Sequence, residues 1–172
     1  MPTKKDAVVA RTIGIDTGKN TLHLIGLDET GAIVLREKVS RNRIVARLAN
    51  APRCLIGIEA GIATHYIARE LIALGHQAKQ VPPAYAKPFR QGQKNDFRDA
   101  YAVAEAVQRP TTRSVPVKTD GHLDLQALHR VRSRLIGERT AVINQIRCFL
   151  LERGIPLARL TPFFTARERQ QS

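Results

Sequence analysis

The chain has 172 residues, a formal net charge of +13 and a pI near 10.7. Its 43% hydrophobic content is ordinary for a folded protein and excludes a disordered polybasic tail. No apolar run approaches the roughly 18 residues of a membrane span, and the charge surplus favours a polyanionic partner, nucleic acid above all.

The N-terminal stretch MPTKKDAVVARTIG is basic, then briefly apolar, and Arg11 interrupts it, so no signal-peptide core forms. TIGIDT (12–17) reads as a buried strand with an acid near its end, and TLHLIGL (21–27) as a second. Gly18, Lys19 and Asn20 supply the turn between them. A turn at DETG leads into a third strand, 32–40, which makes an antiparallel meander.

The pattern then changes. Ile44 to Leu48 fits a short helix, 54–60 a strand carrying Glu59, and Ile62 to Leu74 a helix ended by Gly75. QAKQV is a strand running into a double proline, and 85–93 is a basic connection. A helix starts at KNDFRDA, with Asn95 as its cap. The order predicts an α/β fold with an antiparallel start and parallel later strands.

Residues 111–120 read as a linker and 121–155 as one long helix. Leu128, Leu135, Val142 and Phe149 recur every seven residues along it, with Ile136, Ile143 and Leu150 beside them. The arginines 130, 132, 134, 139 and 147 surround this seam, so the helix is expected to pair in a homo-oligomer or to pack on its own domain. Residues 156–172 form a tail. Cys54 and Cys148 lack a CxxC spacing and read as buried free thiols of a reducing cytoplasm. The five histidines show no metal-ligand spacing and read as core or surface residues.

The acids carry the chemistry. At about 100° per residue, Asp96, Asp99, Ala100, Val103 and Val107 share one stripe, while Arg98, Ala102, Glu105 and Arg109 lie opposite. The helix dipole alone accounts for Asp96, but Asp99 sits on the core-facing side. Asp16 and Glu59 each follow an I-G-I run, which projects them at a sheet edge. Four such carboxylates suit magnesium or manganese, and paired metals serve phosphodiester transfer. Lys19, Lys87, Arg90 and Lys94, with Arg130, Arg132, Arg134 and Arg139, are the candidate nucleic-acid contacts. With 5% aromatics, base stacking is not expected to dominate binding.

GIDTGKNTLHLIGLD, IGIEA and KNDFRDA together resemble the DEDD motif of IS110-type insertion-sequence transposases, the group that includes the Piv-type invertases. The resemblance covers roughly residues 12–155. It implies an RNase H-like fold of the RuvC type, with Asp16, Glu59, Asp96 and Asp99 as catalytic metal-binding acids and Mg2+ or Mn2+ as cofactor. It implies a recombinase acting on DNA with a structured guide (bridge) RNA, in the cytoplasm of a bacterial or archaeal cell, and a long helix that assembles subunits. The family also carries a C-terminal domain with a serine nucleophile, for which this chain offers no room; Ser133 and Ser172 are poor substitutes. A nucleic-acid-binding fragment without catalysis and a Holliday-junction resolvase are the alternatives. GIDTGKN also resembles the first phosphate loop of sugar kinases and actin-like ATPases, but the second loop those enzymes need is not seen.

Overall fold

The computed structural model describes residues 10–157 apart from Gln91 and Lys94. They form two units, divided after Thr119. The first holds a five-stranded sheet of order β3-β2-β1-β4-β5, with β1 Thr12–Thr17, β2 Thr21–Leu27, β3 Ile33–Ser40, β4 Leu55–Glu59 and β5 Gln77–Val81. β1, β2 and β3 pair antiparallel, while β4 lies parallel to β1 and β5 to β4. Among the described residues no helix is long and apolar enough to cross a membrane.

The alternation of strand side chains divides the core in two. Ile13 and Ile15 of β1, Leu22 and Leu24 of β2, and Ile56 and Ile58 of β4 face one way. They pack against Ile44 and Leu48 of α1 (Ile44–Leu48) and Ile67, Ala68 and Leu71 of α2 (Thr64–Ala73). The opposite face is covered by α4 (Asp96–Gln108), whose Ala100 and Ala104 meet Ile25 and Leu27 of β2. Each fully buried Leu or Ile contributes about 1.5–3 kcal/mol.

Where α4 crosses the two central strands, both carry glycine. Gly14 of β1 and Gly57 of β4 are register partners. A Cβ on Gly14 would overlap the Ala100 carbonyl oxygen and lie 2.5 Å from the Ala104 nitrogen. One on Gly57 would lie 2.9 Å from Val107 Cβ and 3.0 Å from Val103 Cγ1. The two I-G-I runs thus form a trough into which an alanine-rich helix settles.

Several boundaries differ from expectation. Ile62 and Ala63 belong to a turn, and α2 starts at Thr64. Ala63 has φ +61, a left-handed conformation that a β-carbon disfavours. Ala102, expected on the outer side of α4, is 1% exposed. The buried arc of α4 is widened by a short α3 (Pro83–Ala86) and the 3-10 turn Lys87–Phe89, whose Ala86 and Phe89 pack on Val103, Ala106 and Val107. Within 111–120, Val115 bridges Gln80 of β5. The Lys118 amide donates to His65 Nδ1 at 3.1 Å, so this stretch is pinned to the sheet domain up to that point.

The second unit contains α5 (Asp120–Leu151), a 32-residue helix with no buried residue. Its seam residues are exposed, Leu128 by 67% and Phe149 by 61%. Cys148, expected to be buried, is exposed on α5, whereas Cys54 is buried in the sheet domain. Burial pushes the Cys54 thiol up to about 11.

The trough makes a sharp prediction. Gly14→Ala should destabilise the sheet domain by about 3 kcal/mol or more, because the clash is with backbone. Gly137→Ala on α5, where a Cβ meets nothing within 4 Å, should instead add about 1 kcal/mol of helix stability. Chemical denaturation of both variants checks the contrast; equal effects would contradict the close approach of α4.

Candidate metal centre

The site lies where β1, β4 and the first turn of α4 meet. Asn95 starts α4 by accepting the Phe97 amide on its side-chain oxygen at 2.9 Å. Its backbone carbonyl accepts from the Arg98 and Asp99 amides. The cap fixes the helix phase, and the glycine trough fixes its height above the sheet. Asp99 is thereby turned inward and is 6% exposed, while Asp96 stays open to solvent.

Asp16 leaves the sheet two residues beyond Gly14, on the same face. One carboxylate oxygen each from Asp16, Asp96 and Asp99 lies within 4.8 Å of the others. Glu59 is not one of these three. It sits beside them, two residues beyond Gly57, and shares a hydrogen bond with Asp16.

The electrostatics follow from burial and like charge. Burial raises the Asp16 carboxyl above its ordinary 3.8; the hydrogen bond with Glu59 pulls it back, and the charges of Asp99 and Asp96 push it up again. Burial likewise raises Glu59 above 4.5, with further upward pushes from its hydrogen bond to Asp16 and from the charges of Asp16 and Asp99, partly offset by Arg90. Burial and mutual repulsion thus raise both members of the Asp16–Glu59 pair, which titrates as a unit.

Two neighbours escaped the sequence reading in this role. His23 of β2 is the cross-strand partner of Asp16. It is 7% exposed, and its Nδ1 has no hydrogen-bond partner and stands 3.6 Å from Asp96 Oδ2. The only sequence signal was its place opposite Asp16 across a short turn. Phe97 meets the His23 ring edge-on, with centroids 4.9 Å apart, and carries the Arg36 guanidinium 4.5 Å from its own centroid.

The candidate cations fall in different places. Arg90 turns inward, its Nε 2.5 Å from Asp99 Oδ1. Lys19 is exposed on the β1–β2 turn and lines a cleft of about 700 Å3 with Glu59 and Arg41. Arg41 braces that turn by donating to the Gly18 carbonyl at 2.6 Å and the Lys19 carbonyl at 3.0 Å. Lys87 is exposed on the 3-10 turn, and Lys94 lies outside the described residues. Arg130, Arg132, Arg134 and Arg139 are exposed on α5, where Arg134 Nε pairs with Glu138 at 2.7 Å.

Clustered hard oxygen donors, with a buried unpartnered ring nitrogen beside them, fit a divalent cation. Without the ion the acids repel. The folded-state proton affinities of Asp16 and Glu59 exceed the unfolded ones, so their stability contribution is full below pH about 4 and is lost as pH rises through the raised values. Asp16→Asn should therefore raise the metal-free melting temperature at pH 7 by a few degrees. The gain should shrink toward pH 4. Thermal unfolding of both proteins across this range is the check, and a destabilised variant at pH 7 would refute like-charge strain.

A family model described as "Transposase", for the DEDD transposases of IS110 type, matches residues 13–154. The transposase for insertion sequence element IS1328 of Yersinia enterocolitica is 41% identical over 147 residues, covering 86% of this chain and 44% of that protein. A probable family 20 transposase of Pseudomonas aeruginosa is 40% identical over 143 residues, covering 83% and 42%. The chain thus spans less than half the length of these relatives. Among solved structures, Thermus thermophilus RuvC covers 60% of this chain and 99% of its own at TM-score 0.46 and 15% identity. RuvC in complex with a Holliday junction substrate covers 60% and 98% at TM-score 0.49 and 15% identity. The sheet domain has the RNase H-like layout, three antiparallel strands continued by two parallel ones, and the chain belongs to the IS110 family of DEDD transposases.

Proposed function

We propose that this chain is the metal-binding catalytic part of a DNA transposase, cutting and transferring phosphodiester bonds with Mg2+ or Mn2+. The observation that carries this reading is the convergence of Asp16, Asp96 and Asp99 in a chain whose net charge is +13. Asp16, Asp96 and Asp99 would hold the cation, with Glu59 beside them completing the set. A bound divalent ion supplies charge neutralisation for the attacking and leaving oxygens of the phosphodiester. His23 stands beside Asp96, and Arg90 lies against the buried Asp99. Lys19, at the cleft shared with Glu59, is placed to meet a phosphate arriving at the site.

The finer parts of the reading rest on the family and on α5. The DNA and a structured guide RNA are the partners, and the exposed arginines 130, 132, 134 and 139 support contact with their backbones. The exposed heptad seam supports assembly of a homo-oligomer through α5. The cellular setting is the cytoplasm of a bacterial or archaeal cell, at the nucleoid. A second reading, a nucleic-acid-binding and assembly module without catalysis, draws on the same helix, because none of its residues is buried within the chain.

Calorimetric titration with Mn2+, on the chain and on Asp99→Asn, separates these readings when combined with a Mg2+-dependent nicking assay on labelled DNA. The catalytic reading expects saturable binding that Asp99→Asn weakens by more than about 100-fold, with nicking lost in parallel. DNA retention without metal binding or nicking would leave the assembly module. Binding should tighten as pH rises, because protons compete with the ion for the raised Asp16–Glu59 pair.

A further inference from the structure

Arg90 occupies an unexpected place. Its backbone is anchored on the N-terminal side. The Arg90 amide closes the 3-10 turn by donating to the Lys87 carbonyl at 3.1 Å. The preceding Phe89 packs on Val103 and Val107 of α4, with the Arg109 guanidinium 5.5 Å from its ring centroid. From this anchor the side chain turns toward the acids.

The contact it makes is close but imperfectly aligned. Arg90 Nε and Asp99 Oδ1 are both buried, 2.5 Å apart, yet neither has an aligned hydrogen bond. The Arg90 charge also acts on Glu59. The Asp99 side chain is 7% exposed and that of Arg90 31%. A buried carboxylate beside Asp16 and Asp96 needs a cation, and Arg90 supplies one from within the chain. A divalent ion drawn to the same three acids would need Asp99 Oδ1, the atom Arg90 now holds, and would repel the guanidinium beside it.

We infer that Arg90 is a built-in counter-ion of the acid site: it neutralises Asp99 in the metal-free protein, and divalent cations bind by displacing it. The ion pair then sets metal affinity. A site closed by the guanidinium about 90% of the time binds metal roughly tenfold more weakly than its intrinsic affinity. Arg90 is thus a residue that protects the empty site and tunes its loading, distinct from an outward-facing phosphate contact.

The inference rests on the metal-site reading, and the test has one arm independent of metal. In metal-free buffer with EDTA, thermal unfolding of Arg90→Gln, Asp99→Asn and the double variant forms a cycle. Arg90→Gln should lower the melting temperature in the wild-type background and have little effect on Asp99→Asn. Far-UV circular dichroism confirms that each variant is folded at the titration temperature. Mn2+ titration by calorimetry then should give Arg90→Gln a roughly tenfold tighter site than wild type, with Arg90→Lys in between, because ammonium keeps the charge but loses the planar fork. Unchanged or weaker Mn2+ binding in folded Arg90→Gln would overturn the displacement while leaving the metal site intact. Additive effects in the metal-free cycle would overturn the counter-ion role itself. Mn2+ binding to none of the proteins would overturn the metal-site reading and the displacement together, and the metal-free cycle would still judge the ion pair.

Discussion

The close seating of α4 on the sheet is the constraint from which the site follows. A helix usually rests on a layer of side chains, with its axis about 10 Å from the strands. Here the row beneath it is Gly14 and Gly57, and the helix offers Ala100 and Ala104 above. Backbone meets backbone, so the helix cannot rotate or rise without opening a void or a clash. That rigidity carries Asp99 to Asp16. Both strands leave the trough with one more core isoleucine and then an acid, so one geometric device delivers Asp16 and Glu59 to the same end of the sheet. The N-cap at Asn95 supplies the last degree of freedom, the rotational phase of the first turn.

Such a site is costly when empty. Asp16 and Glu59 are pushed toward protonation by burial and by neighbouring carboxylates. The fold places an arginine against Asp99 and a histidine beside Asp96. On the displacement inferred for Arg90, the ease with which a partner leaves matters more than its strength. A lysine or arginine with an ideal bidentate pair would stabilise the empty site more, but would exclude the ion. The misaligned Arg90–Asp99 contact and the 3.6 Å gap from His23 to Asp96 are the geometry of partners that have not committed all their bonding capacity.

Much of this was legible in the sequence. The strands were visible because buried parallel strands read as short apolar runs and because Gly18, Asn20 and Gly75 mark turns. Asp99 was assigned inward from helical phase alone, and Asp16 with Glu59 from their place after the I-G-I runs. The glycines themselves were unexplained, since a trough needs two strands in register and a helix above them. His23 was dismissed because metal-ligand spacing is a property of one segment, whereas its relation to Asp16 is a cross-strand pairing. Arg90 was read as a nucleic-acid contact in a basic connection, because its place beside Asp99 depends on a tertiary contact that sequence spacing does not carry. Ala102 was placed outside because periodicity assumes one packed face, whereas the buried arc of α4 is wide enough to include it.

The basic surplus of the chain and its acidic site are one problem with two scales. Over the whole surface, +13 draws in a polyanion regardless of sequence. A phosphodiester held near Asp16 and Asp99 would meet repulsion at the point of chemistry unless cations stand between them. A loaded metal centre would remove that repulsion, and a guanidinium displaced from Asp99 would remain nearby as a further positive charge. The acids therefore need not be weak or few for the nucleic acid to approach. What the fold must guarantee is that positive charge arrives before or together with the phosphate, and on the exchange inferred for Arg90 the buried Asp99 would pass from an internal cation to an external one without facing the substrate bare.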